Sequence, residues 1–241
     1  MSDMRLQVAC AKAGIASRRE SAKIIESGRI SVNGKIIIEP GYRVDLDKDR
    51  ISINNKNIAL LQRKHYYVLN KPKGVVSTAR DERGRKKVID YVKNKNIRVY
   101  PVGRLDKDTT GLIMLTNDGD LSYRLTHPKF NVERVYKVKV KGKVPVEKIK
   151  RLIKGINLDG KVAKVKEAYI VESYMNHTEL LLVLCEGRKR EIRRMMMSLG
   201  HIVKELMRIS YGPIELGNLK EGEIRAISGV ELRKLKTSVG L

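Results

Sequence analysis

The dipeptide Asn33-Gly34, set between Ile30-Ser31-Val32 and residues 35–38, constrains the local chain more than any other feature of the sequence. Both central positions of a two-residue hairpin turn need a positive φ. Asn and Gly adopt it most readily, so two apolar strings joined by Asn-Gly fold back as an antiparallel pair. Upstream, Leu6, Val8, Ala9 and Ala13 have the spacing of a short helix that ends near Gly14. Ser17, with Glu20 three residues later, has the pattern of a capping box. The helix it opens carries Ala22, Ile24 and Ile25 and stops at Gly28. The first sixty residues therefore read as a helix–helix–hairpin module.

A polar stretch, Asn54-Asn55-Lys56-Asn57 and then Gln62-Arg63-Lys64, reads as the linker, interrupted by residues 58–61. Beyond it, strand patterns alternate with short helices. Strands are expected over residues 65–70, 112–116, 134–141, 167–174 and 178–185. Helices are expected over residues 88–92, 120–125 and 188–199, with another starting at Pro145. This order gives an α+β chain with a mainly antiparallel or mixed sheet. The expected domains are residues 1–60 and 64–241.

Lysine and arginine outnumber aspartate and glutamate by 51 to 27 over 241 residues, a net charge of +24. Such an excess opposes itself in a compact protein and fits a polyanionic partner. Most of it lies after residue 62, with dense runs over residues 83–87 and 188–194. Hydrophobic residues make up 41%, too many for a disordered basic tail. No basic amphipathic helix with an aromatic face marks a membrane surface, so nucleic acid is the better partner. No apolar run reaches the roughly 18 residues of a membrane span, and no secretory signal is visible. The two cysteines, Cys10 and Cys185, are too few for a disulfide framework or a cysteine-built zinc site. They fit reduced thiols in a cytoplasmic protein.

Three segments hold the chemistry. Residues 100–112 form a loop rich in turn formers that places Asp106 between Arg104 and Lys107, ahead of an apolar strand. Thr109 and Thr110 can stiffen it through hydrogen bonds to nearby backbone. The flanking cations keep Asp106 ionised. An isolated aspartate in a loop is usually a cap or a turn residue. Tyr136 lies in the strand pattern Arg134-Val135-Tyr136-Lys137-Val138, where a tyrosine is usually core or part of a surface pair. Residues 188–194 carry Arg188, Lys189, Arg190, Arg193 and Arg194, with Glu191 as the one acidic break, within the segment 186–195. Arg190, Arg193 and Arg194 have the spacing of one helix face. By itself such a face is a phosphate site or a solvated surface.

The amino-terminal string Arg5-Leu6, Ala16-Ser17-Arg18-Arg19 and residues 28–34 resembles the S-four-like RNA-binding module. That likeness implies RNA contact through Arg18, Arg19, Lys23 and Arg29. The rest of the chain resembles the pseudouridine synthases of the RsuA/RluB family. The likeness rests on residues 69–75 (Leu-Asn-Lys-Pro-Lys-Gly-Val), Gly103-Arg104-Leu105-Asp106 with Thr109-Thr110-Gly111-Leu112, Leu115-Thr116-Asn117-Asp118-Gly119, Tyr136, and the run from Glu186-Gly187-Arg188 to Arg193-Arg194-Met195. It implies a cofactor-free, metal-free isomerisation in which a uridine of ribosomal RNA is flipped out of its stack. The N-glycosidic bond is cleaved, the uracil is turned, and carbon 5 is joined to the sugar. By position, Asp106 is the essential carboxylate and Tyr136 stacks on the flipped base, with a hydroxyl placed to assist proton removal at carbon 5. Arg193 pairs with Asp106, Ile192 supplies apolar contact to the base, and Arg104 fills the vacated space or binds phosphate. Arg188, Lys189, Arg190 and Arg194 bind the RNA. The run 186–195 is closer to the RluB type, which implies the large-subunit 23S RNA; a monomeric enzyme is expected. Three alternatives stand beside this: a small-subunit 16S target, a non-catalytic ribosome-assembly protein, and a hydrolase that pairs Asp106 with Asp108.

Overall fold

Ser17 and Glu20 close a reciprocal cap. The Ser17 hydroxyl accepts from the Glu20 amide at 3.2 Å, and the Glu20 carboxylate accepts from the Ser17 amide at 3.3 Å. This satisfies amides that the first helical turn leaves unbonded. The computed structural model describes residues 3–58, 63–94 and 97–241, and the chain divides into two units, residues 1–64 and 65–241.

In the first unit, α1 (Leu6–Lys12) and α2 (Arg18–Glu26) precede the hairpin of Ile30–Val32 and Lys35–Ile36. Asn33 and Gly34 take φ of 52° and 83°, as their turn requires. Ile51–Ile53 adds a third strand beside Ile30–Val32. The residues expected as linker make a second turn instead: Asn54 and Asn55 have φ of 47° and 64°, and Lys56–Asn57 pairs back. Asparagine tolerates the left-handed region, so a polar Asn-Asn pair makes a tight turn here. Residues 59–62 of the expected linker lie outside the described residues. Leu6, Ala9, Cys10, Ile25, Ile30, Val44 and Ile51 form this unit's core.

The second unit is built on a mixed sheet, nine-stranded among the described residues. Its main path runs Glu167–Ser173, His177–Leu184, Arg134–Lys141, Val203–Tyr211, Thr110–Thr116, Tyr66–Lys71, Ile224–Ala226. The pairing of Val203–Tyr211 with Thr110–Thr116 is parallel and the other pairings are antiparallel. The remaining helices are α3 (Gly119–Thr126), α4 (Val146–Lys154), α5 (Glu191–Ser198) and α6 (Gly229–Thr237). Alternate residues of one strand enter different cores. Leu69, Ile113 and Leu115 pack with Ile149 and Leu152 of α4 and Met195 and Met196 of α5. Val68, Leu112 and Met114 pack with Leu121 and Leu125 of α3 and Leu235 of α6. A strand covered on both faces reads as a continuous apolar run, as in Leu112-Ile113-Met114-Leu115.

Two sequence expectations shift. Residues 88–92 form a 3-10 turn, Val88–Tyr91. The helix expected over 188–199 starts at Glu191, because Arg190 sits in the left-handed region at φ 52° and residues 188–190 form the turn before it. Among the described residues no helix is long and apolar enough to cross a membrane.

Candidate active site

The Asp106 loop is pinned from below. Thr110–Thr116 leaves the loop as a central strand, and its second residue must pass close to a neighbour. Gly111 has φ 96°, and a Cβ there would lie 2.3 Å from the Arg208 carbonyl oxygen. A turn closes the loop itself, with the Thr109 amide donating to the Asp106 carbonyl at 3.1 Å. The segment 71–77 then holds it at three points. The Ser77 hydroxyl donates to the Leu105 carbonyl at 2.8 Å and accepts from the Leu105 amide at 3.1 Å. The Gly74 amide donates to the Lys107 carbonyl at 2.8 Å. The fully buried Lys71 ammonium donates to the carbonyls of Pro72, Val75 and Lys107 at 2.8, 2.9 and 3.3 Å. Burial draws the Lys71 pKa down to about 8, against the carboxylates of Asp108, Glu221 and Asp106.

Asp106 opens onto a cleft of about 380 Å³. Tyr136, on the strand Arg134–Lys141, and Ile192, in the first turn of α5, are buried in its lining. Arg104, Arg188, Lys189 and Arg190 are also at its walls. Asp106, Tyr136, Ile192 and four cations that are distant in sequence thus share one concavity, the usual arrangement of a site with an apolar body and a few aimed polar groups.

Two expected site residues lie elsewhere. Arg193 does not pair with Asp106. Its guanidinium lies 3.4 Å from the Asp108 carboxylate, and it donates to the carbonyls of Asp108 at 3.2 Å and Val203 at 3.1 Å. Arg190 reaches the same carboxylate at 3.1 Å. The cause is the register of α5: residues one turn apart both reach the loop beyond its turn, where Asp108 sits. Arg194 faces away and pairs with Asp159. The Asp106 carboxylate forms no ion pair among the described residues. Asp108 is drawn the other way. Burial would raise its pKa, but the hydrogen bond from Arg190 and the charges of Arg193 and Arg190 win and hold it low. Asp108 is thus engaged by Arg190 and Arg193, which disfavours it as the protonated member of a carboxylate pair.

Sequence reasoning missed Glu191 as a site group. It lines the cleft and is buried, with one carboxyl oxygen accepting from the Arg188 amide at 3.0 Å and the other lacking a hydrogen-bond partner. Burial pushes its pKa up to about 7, the Arg188 amide and charge pull against this, and the Glu186 carboxylate adds to the rise. Ser77 and Lys71 were missed as loop supports, although Lys71 lies inside the quoted Leu-Asn-Lys-Pro motif. In the first unit, Arg18, Arg19, Lys23 and Arg29 are all exposed, and Arg29 bonds Asn54 at 3.0 Å. One group, Glu172, His177 and Glu179, gathers ligand-type atoms, but Glu179 is already paired with Lys137 and Lys139.

Residues 65–198 match the family model described as RNA pseudouridylate synthase. The chain belongs to the RNA pseudouridylate synthase family. Residues 4–51 match the S4 domain. The chain is 40% identical to the ribosomal large subunit pseudouridine synthase B of Bacillus subtilis (strain 168), over 96% of this chain and 95% of that protein. It is 36% identical to the protein of that name from Vibrio cholerae, over 98% of this chain and 78% of that one. A solved pseudouridylate synthase superposes with a TM-score of 0.68 at 29% identity, covering 96% of this chain and 99% of the other. These likenesses place the protein in the RsuA/RluB branch as an RNA pseudouridine synthase, an isomerase, and set aside the non-catalytic alternative. The cleft around Asp106 lies within the matched synthase region.

Proposed function

We propose that the protein isomerises a specific uridine of large-subunit (23S) ribosomal RNA to pseudouridine, with Asp106 as its essential carboxylate. The observation that carries the residue assignment is the convergence of Asp106, Tyr136 and Ile192 on one cleft walled by Arg104, Arg188, Lys189 and Arg190. The large-subunit target is supported by the names of two close relatives.

The walls suit a flipped nucleotide. Tyr136 and Ile192 offer a flat ring and an aliphatic edge to the base, and the cations suit its flanking phosphates. Asp106 is free of any clamp, so its lone pairs remain available to the sugar or the base. Cations surround this carboxylate. Arg104 and Lys107 flank it in the chain, and Lys71 is near enough for the two charges to attract. The nitrogen–carbon bond to the ribose breaks, the uracil turns, and carbon 5 bonds to the sugar. The hydrogen on carbon 5 leaves as a proton and nitrogen 1 ends protonated, so no atom is gained or lost. The Tyr136 ring stacks on the base, and its hydroxyl assists removal of the carbon-5 proton as a relay, giving up its own proton as it takes that one. Arg193, through Asp108, holds the loop and does not touch the reacting carboxylate. The same reading makes the protein a cytoplasmic monomer, where ribosomal RNA and its two free thiols belong.

The test uses 23S and 16S transcripts carrying tritium at carbon 5 of uridine. Tritium release and a single mapped pseudouridine in 23S RNA are expected from the wild type, and neither from Asp106→Asn, with RNA affinity within a few-fold. Modification of 16S RNA alone would move the substrate. Turnover by Asp106→Asn above contaminating wild type would overturn the assignment of Asp106.

A further inference from the structure

A second cleft, of about 790 Å³, adjoins the first and shares Glu186 and Arg188 with it. Its walls come from the end of α4, the strand Lys161–Ala163 with residues 164–166 after it, Pro128 and Asn131, and Cys185 just past the strand His177–Leu184. Arg188 divides the two spaces and is fixed in place: it donates to the Val162 carbonyl at 2.9 Å and pairs with Glu186 at 3.1 Å. The second cleft combines two features that do not usually meet on a merely solvated surface. Ile153 and Val162 are 42% and 59% exposed. Beside them, Lys154 and Lys164 are exposed and form no ion pair among the described residues. Lys166, by contrast, is engaged with Glu133.

We infer that this second cleft binds the single-stranded RNA next to the target uridine, with Lys154 and Lys164 on its phosphates and Ile153 and Val162 against its sugars and bases. The inference rests on the pseudouridine synthase reading for the identity of the ligand. Flipping a nucleotide into the Asp106 cleft displaces its neighbours from their stack, and the chain must continue from there. The way past Arg188 leads into a groove with unpaired cations and apolar faces, the combination that tracks a single strand. Charge and continuity both favour RNA over a protein segment: an acidic peptide would neutralise the lysines but has no reason to begin at the Asp106 cleft.

Cys185 gives a direct probe, because it lines the second cleft and is partly exposed, whereas Cys10 is buried and its thiol is pushed up to about 11 by that burial. Alkylation of the wild-type protein by N-ethylmaleimide should therefore report on Cys185. Saturating in vitro-transcribed 23S RNA should slow it at least about fivefold. In the tritium assay, Lys154→Glu and Lys164→Glu should each raise half-saturating RNA about tenfold with kcat within about twofold, and each should flatten the salt slope by about 0.7–0.9, one phosphate contact. Lys234→Glu, on α6, makes the same charge change and should do neither. Unchanged alkylation with bound RNA, or equal effects from all three reversals, would overturn the inference. Absence of tritium release from the wild type would instead defeat the proposed function, and Cys185 protection by RNA would still decide the groove.

Discussion

Arg193 meets Asp108 and not Asp106: its guanidinium is 3.4 Å from the Asp108 carboxylate and donates at 3.2 Å to the Asp108 carbonyl. The cation thus grips the backbone and the side chain of the residue two places beyond the proposed reactive carboxylate. The loop is stiffened while Asp106 keeps its lone pairs.

Asp108→Asn and Arg193→Met should therefore act as positioning changes. Only 13% of the Arg193 side chain is exposed against 38% of Asp108, so solvent partly screens the pair. Breaking it should cost about 1–2 kcal/mol, below the roughly 3–5 of a fully buried pair. Both variants should lose kcat about 10- to 100-fold, the penalty of a misplaced reacting group, with RNA KM nearly unchanged. The readout that separates them from Asp106→Asn is residual turnover, measured by tritium release over long incubations. Complete loss in Asp108→Asn with an intact fold would mean that Asp108 takes part in the chemistry.

Lys71 should be the strongest remote control on the Asp106 loop. Lys71→Met removes the donor to three carbonyls at once. Each orphaned buried group costs about 1–3 kcal/mol, partly offset because the buried charge also goes. The melting temperature should fall by several degrees, and kcat should drop more than KM rises. Burial holds the Lys71 pKa at about 8, below its ordinary 10.5. Between these values the unfolded chain binds the extra proton, so this group adds stability as pH rises through the window and loses it as pH falls towards 8. Thermal melts from pH 7.5 to 10 should show wild type gaining on Lys71→Met. A constant difference would mean that Lys71 does not titrate there.

Glu191 should give the opposite slope at lower pH. Burial first, then the Glu186 carboxylate, lift its pKa from 4.5 to about 7. The folded protein holds the proton that the unfolded chain has released, so the stability from this group is full below about 4.5 and is lost as pH rises through 7. Glu191→Gln keeps the shape and never ionises. Its melting temperature should match wild type near pH 5 and exceed it by a few degrees at pH 8, about 2–4 °C for each kcal/mol. Equal melting curves at both pH values would show that Glu191 is ionised throughout.

How far the sequence disclosed these features follows how local they are. The Ser17 cap and the Asn33-Gly34 turn are set by neighbouring residues, and both form as the pattern predicts. The Asp106 motif is legible because its residues are contiguous. The partner of Arg193 depends on where α5 meets that loop, which no spacing within residues 186–195 specifies. The strand Val203–Tyr211 escaped notice because Lys204, Glu205 and Arg208 break its apolar pattern. Arg208 is nonetheless buried, donating to the Leu112 carbonyl at 2.7 Å and lying 4.8 Å from the Tyr211 ring centre. Asn54–Asn57 read as a linker because the same residues serve in linkers and in left-handed turns.

RNA affinity should fall steeply with salt, since a chain of net charge +24 displaces counterions from phosphates. About 4 to 6 phosphate contacts give a slope of log affinity against log salt of roughly −3 to −5. Arg18, Arg19, Lys23 and Arg29 are exposed in the S4 unit. Replacing Arg18 and Arg19 with serine should weaken binding to 23S RNA and flatten the slope by about 1.5, two contacts. The turnover of RNA already bound should not change, because the proposed reacting carboxylate, Asp106, and its loop are unaltered. Filter binding at 50 to 300 mM salt gives the slope, and single-turnover tritium release at saturating enzyme gives the rate. A slower single turnover with an unchanged slope would place these arginines in positioning the substrate instead of holding its phosphates.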